Sequence, residues 1–225
     1  MTILTTIATW LVPLIIAIVF HEVAHGLVAR RLGDPTAAAM GRLTLNPFKH
    51  IDPVGTVILP MALAIAHAPV FGWAKPVPVI KERLRNPRRD MVLVALAGPG
   101  MNMLLAVAAT IILGVTIAMS DGQPAGVLNL IARNAINFLL INIFLAVFNL
   151  IPLPPFDGGH VVEGLLPPPL AKRFAALGRF ALPIFVFLLL ILPMISPKAN
   201  VVARLISPIV DIIARYFLAL AGVTG

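Results

Sequence analysis

The sequence predicts an all-α polytopic membrane protein with about five or six hydrophobic segments and, after the first span, a small membrane-associated β-hairpin or re-entrant element. Three observations carry this expectation. Of 225 residues, 60% are hydrophobic and only 12% charged, where soluble domains hold about 25% charged residues. Mean hydropathy is +1.00. The cations behind the net charge of +8 sit in short clusters between apolar runs: Arg30 with Arg31, KERLRNPRR at 81–89, and Lys172 with Arg173. That is the distribution the positive-inside rule gives cytoplasmic loops. It makes the lipid bilayer the expected partner and argues against nucleic acid. With no cysteine, disulfides and thiolate metal sites are excluded.

The elements follow in order within a single membrane-embedded domain, 1–225. Residues 1–30 form the first span, uncharged through Phe20 and with Pro13 as a kink. They lack a basic n-region and a small-residue cleavage site, so the span is read as retained. Region 36–80 differs. GRLTLNPFKHIDPVGT and FGWAKPVPV, rich in Pro, Gly and β-branched residues, suggest strands or a hairpin. Between them VILPMALAIAHAPV, broken by Pro60, is short for a crossing and fits a re-entrant element. Residues 91–120 make an uncharged span, and 127–157 a third, ending in an Asp-Gly pair. The hydrophobic segments of 177–225 complete the chain. There 180–196 is just long enough to cross, and 201–223 is interrupted by Arg204, Asp211 and Arg215.

Charge also orders the topology. If Arg30, Arg31 and the 81–89 cluster are cytoplasmic, the cation-free SDGQPAG loop (120–126) lies outside and the third span returns inward. The His21 end of the first span and the Asp157 end of the third then share the cytoplasmic face of a multi-pass cell-membrane protein.

Ionisable residues inside a span are costly and functional by default. IVFHEVAHGLVARR (18–31) places His21, Glu22 and His25 at the end of an uncharged run. On a helix, positions i and i+4 share a face, so both imidazoles can reach one cation, with Glu22 beside the first to accept a proton from water. A catalytic zinc site ordinarily has a third protein ligand. Asp34 in LGDP and Asp52 in IDPVG read as turn residues, Glu82 and Asp90 lie in the basic cluster, and Asp121 is on the far face. Asp157 stands out in FNLIPLPPFDGGH, where prolines 152, 154 and 155 break the helix and Gly158 with Gly159 let the backbone bend. His160 is a rival ligand by chemistry alone.

HEVAH on the first span, with Asn149-x-x-Pro152-x-x-x-x-Asp157-Gly158, resembles the site-2 protease family of intramembrane zinc metalloproteases. GRLTLNPFKHIDPVGT, FGWAKPVPV and NPRRDMVLVALAGPGMN resemble its compact bacterial branch without a PDZ domain, over residues 10–165. The resemblance implies one Zn2+ per chain held by His21, His25 and Asp157, Glu22 as general base, and Asn149 as a donor to the substrate carbonyl. It implies substrates that are membrane proteins with a transmembrane segment, and leaves any size filter to a regulatory membrane partner or to the core itself. It also maps a membrane-embedded hairpin onto 41–46, with FGWAKP as a second strand-like element. Gly98 and Asn102 match a further motif, for which close helix packing is an equal explanation. His160 falls outside the ligand pattern, and His50 and His67 read as structural or solvent-facing. A membrane metal transporter or sensor using the same ligands is the alternative, though the outer halves of the long spans are almost wholly apolar.

Overall fold

The structure, a computed structural model, describes residues 7–65, 72–187, 191–196, 200 and 202–223. Three of its helices are long and apolar enough to cross a membrane: Thr9–Arg31, Pro87–Ala118 and Gly126–Asn149. We label Val12–Arg31, the regular part of the first, α1; Pro87–Ala118 α2; and Gly126–Asn149 α3. A short helix, α4 (Asp157–Leu165), packs on α2, and α5 (Ser207–Leu220) packs on α2 and α3.

Packing between the long helices is made by small side chains. Ala17, Ala106 and Ala109 are fully buried, and Ala135 and Ala146 nearly so. Small residues let backbones approach closely where no hydrophobic drive separates helix from lipid. Bulk goes to the outer faces instead, as in Leu104, Ile111 and Val115, all more than half exposed. The main core joins Ala106 and Ala109 of α2, Leu139 and Ile143 of α3, and Ile206, Val210 and Ala214 at the C-terminal end.

Of the five or six hydrophobic segments expected, three are helices long and apolar enough to cross a membrane among the described residues. The described residues near the C-terminal end include a 3-10 turn (Ala176–Phe180) and two short helices, Ala181–Val186 and Leu192–Ile195, each helix carrying a proline that removes a backbone donor. The helical segment 202–220 carries Arg204, Asp211 and Arg215. Asp211 and Arg215 are tied by an Arg215 Nε–H donated to the Asp211 carbonyl at 3.2 Å rather than by their charges. In the re-entrant region, the turn Pro53–Ile58 runs into a helix, Leu59–Ile65, well short of the roughly 20 residues a crossing needs. His67 lies outside the described residues.

No strand forms among the described residues, so the expected hairpin is corrected. Residues 42–46 and 72–80 are extended, but no backbone–backbone hydrogen bond joins them among the described residues. Trp73 N–H donates to the Gly55 carbonyl (3.1 Å), Lys75 N–H to His50 (2.9 Å), and Arg42 Nη2 to the Lys75 carbonyl (2.9 Å). Pro76 and Pro78 have no N–H to give a ladder.

Asp34, fully buried, joins the end of α1 to the 80–85 segment. It accepts from Thr36 N–H (3.0 Å), the Thr36 hydroxyl and Ile80 N–H (2.6 Å). Burial alone would raise its pKa. The Thr36 hydroxyl, the two backbone N–H groups and nearby Arg83 outweigh burial and hold the carboxyl below its ordinary value. The turn role read for Asp34 and Asp52 holds, Asp52 capping Val54 and Gly55 N–H. Asp90 accepts from Asn86 N–H at the start of α2.

Candidate metal centre

His21 and His25 stand one turn apart on the buried face of α1. Each ring is held at Nδ1 by an acceptor on α2. His21 Nδ1 is 2.6 Å from Asn102 Oδ1, and His25 Nδ1 is 2.7 Å from the Val94 carbonyl. Oxygens that only accept place the ring hydrogens on Nδ1 and leave both Nε2 atoms as lone-pair donors. Those two Nε2 atoms lie 3.0 Å apart. The space for the rings comes from Gly98 of α2, since a Cβ there would run into both imidazoles.

Asp157 arrives from the other side as the first residue of α4, where the helix dipole favours a carboxylate. Its Oδ2 lies 3.2 Å from His21 Nε2 and 3.4 Å from His25 Nε2, and is buried without a hydrogen bond. Gly158 and Gly159 serve this approach by their size. A Cβ on Gly158 would collide with the Leu150 and Ile151 carbonyls, and one on Gly159 would sit 2.8 Å from Pro154 N. Neither has a positive φ, so close approach to the 150–154 loop, rather than unusual backbone freedom, is what these glycines provide.

One ligand atom from each of His21, His25 and Asp157 falls within 4.8 Å of the others, a cluster able to hold a metal ion. The centre opens into a cavity of about 840 Å³, which Glu22, Asn149 and His160 also line. A match to the family model described as Peptidase family M50 spans residues 9–121 and 114–192 of this chain. The chain belongs to peptidase family M50. It is 34% identical over 205 residues to the protein named "Putative zinc metalloprotease YwhC" of Bacillus subtilis (strain 168), covering 88% of this chain and 90% of that one. Proteins named "Putative zinc metalloprotease Rip2" also match. The one from Mycolicibacterium smegmatis (strain ATCC 700084 / mc(2)155) is 31% identical over 195 residues, 86% of this chain and 68% of that one. The one from Mycobacterium tuberculosis (strain ATCC 25618 / H37Rv) is 32% identical over 191 residues, 84% and 68%. No solved structure gives a significant match.

M50 is the site-2 protease family, and the residues expected to carry its chemistry sort clearly here. Glu22 lines the cavity next to His21, with Oε2 accepting from Val77 N–H at 2.8 Å. Asn149 donates one Nδ2 hydrogen to the Leu145 carbonyl one turn earlier on α3, at 2.9 Å, and makes no bond to another helix among the described residues. His160 stays out of the three-residue cluster. Its half-exposed ring has Nδ1 3.7 Å from Glu163 Oε2, and Lys81 Nζ pairs with Glu163 Oε1 at 2.5 Å. His50 is structural, its Nε2 2.9 Å from the Thr44 carbonyl.

Sequence reasoning left Asn102 between two explanations and passed over Asn142. Both are fully buried and bonded to one another, Asn102 Nδ2 to Asn142 Oδ1 at 2.8 Å. The signal was present, because an asparagine inside an uncharged span is expensive unless it has work to do.

Proposed function

We propose that this M50 peptidase is a zinc endopeptidase that cuts peptide bonds in or beside the transmembrane segments of other membrane proteins. His21, His25 and Asp157 hold the ion, Glu22 is the general base and Asn149 a donor to the substrate carbonyl. One observation carries the reading: two Nε2 lone pairs and a buried, unbonded carboxylate oxygen converge within hydrogen-bond range. Three acceptors facing one another repel, and a divalent cation resolves the conflict. Two imidazoles and a carboxylate suit zinc.

Bound there, zinc supplies Lewis acidity, polarising a carbonyl and lowering the pKa of water. The protein does the rest. Val77 N–H holds Glu22 Oε2, leaving Oε1 to take a proton from the attacking water and return it to the departing amine. With one Nδ2 hydrogen on Leu145, Asn149 keeps a second to stabilise charge growing on the substrate oxygen. Helical substrates hide their peptide bonds, so the substrate segment must unwind. The extended stretch 72–80 lies along the cavity, with Ala74 and Val77 among its lining. Its backbone is the surface on which an unwound segment would lie. The cation clusters at 30–31, 81–89 and 172–173 support a cytoplasmic placement for this end.

Glu22→Gln tests the mechanism. The purified variant is expected to bind zinc as the wild type does and to lose cleavage of a single-span model peptide by roughly 10²–10⁴-fold, the worth of a general base. Retained cleavage would refute the assignment of Glu22, and retained function without any cleavage in the wild type would favour transport over proteolysis.

A further inference from the structure

Two neutral amides sit where apolar side chains would cost nothing. Asn102 on α2 and Asn142 on α3 are both fully buried, and a buried amide is tolerated only when hydrogen-bonded. Their bonds form a chain whose direction can be worked out from one end. Asn142 Nδ2 is 2.8 Å from the Phe138 carbonyl. A carbonyl only accepts, so Asn142 turns its NH2 to Phe138 and its Oδ1 toward α2. That oxygen also only accepts, and Asn102 Nδ2 meets it at 2.8 Å, with the Ala17 carbonyl of α1 at 3.3 Å as a second acceptor for the same group. Asn102 Oδ1 must then face the other way, toward His21 Nδ1 at 2.6 Å.

We infer that Asn142 and Asn102 form an amide relay that fixes His21 as the Nδ1–H tautomer and so holds its Nε2 lone pair toward the metal. The inference rests on the zinc reading above. His25 needs no such relay. Its Nδ1 faces the Val94 carbonyl, a backbone group that cannot turn over. Asn102 could: rotated by half a turn, it would offer Nδ2 to His21, move the ring hydrogen to Nε2 and block that ligand. Asn142 and Ala17 prevent the rotation, because it would set Asn102 Oδ1 against two acceptors. Both asparagines act through His21 and are positioning residues. Partners of this kind, behind the ligand, typically change metal affinity by 10–100-fold.

The test reads tautomer and affinity apart from cleavage. In metal-free wild type labelled with 15N-histidine, at a pH where the rings are neutral, His21 is expected to show an Nδ1–H pattern. Its signals are identified by their loss in His21→Gln. Zinc affinity, measured by chelator competition, is expected to fall 10–100-fold in Asn102→Leu and by a smaller factor in Asn142→Leu. The double variant should be no worse than Asn102→Leu alone, since the two residues act in series. An Nε2–H pattern in the wild type overturns the relay without any variant having to fold. So do wild-type zinc affinity in a folded Asn102→Leu, or losses that add in the double variant, as independent packing defects would. Failure of the wild type to bind zinc at all overturns the proposed function instead, and binding that is insensitive to Asn102 overturns only the relay.

Discussion

His21 and His25 reach the centre from the body of a long helix, while Asp157 reaches it from the first residue of a short helix that follows a proline-rich loop. Between Ala17 and Ala29, α1 buries most of its residues against neighbours, and each imidazole is anchored on α2. The Asp157 side has fewer supports: glycines close against the 150–154 loop, Lys81 on Glu163, and Arg88 Nε donating to the Gly164 carbonyl at 2.8 Å. One half of the centre is set by helix packing and the other by a proline-rich loop. Errors on the first side should therefore cost more than equal errors on the second, except where a ligand itself is removed.

Asp157→Ala removes the only carboxylate of the cluster and is expected to have the largest effect, with zinc content and cleavage both lost. Metal analysis beside a peptide-cleavage assay checks it, and a zinc-loaded, active variant would refute the ligand set. Gly98→Ala comes next. It pushes a methyl group into both rings, and displacements of this kind cost on the order of 10²-fold. Gly100→Ala, two residues on and with nothing within 4 Å of its added methyl, should leave cleavage unchanged. Gly158→Ala forces the Asp157 side apart by a similar collision, but against a proline-rich loop rather than a packed helix. About tenfold is expected, the lower end of what displaced supporting contacts cost a metal site. Equal losses for Gly98→Ala and Gly158→Ala would erase the proposed difference between the halves. Lys81→Met should matter least. The pair is part-exposed, with 37% and 20% of its side chains accessible, so it contributes no more than about 1 kcal/mol. Thermal unfolding of the detergent-solubilised protein measures it.

The helical half of the centre was legible because its geometry is local: His21 and His25 lie four residues apart on one helix, and no tertiary knowledge is needed to bring them together. Asp157 was legible for a different reason. Charge clusters returned the third span to the side on which the first ends, and the prolines before it marked where the helix stops. Asn142 was a signal without a partner, because hydropathy does not say which face of α3 meets α2, and half a turn's error would put it in lipid. The hairpin failed where local signal and partner supply diverged. Residues 72–80 are extended as their composition suggests, yet Pro76 and Pro78 withhold donors and Glu22 takes the Val77 N–H. The C-terminal hydrophobic segments, 180–196 and 201–223, are not among the membrane-crossing helices of the described residues, and prolines and charges interrupt their apolar runs.

Both imidazoles turn Nδ1 to uncharged partners, a backbone carbonyl on one side and an amide on the other. On the proposed zinc reading, with both rings neutral, the ion's two positive charges would be matched by the carboxylates of Asp157 and Glu22. The Born penalty that bars ions from a bilayer would then fall on a closely spaced, mutually compensated group. On the proposed mechanism, a proton passed from water to Glu22 moves charge within the centre without changing its total, so the balance holds while the substrate oxygen becomes negative.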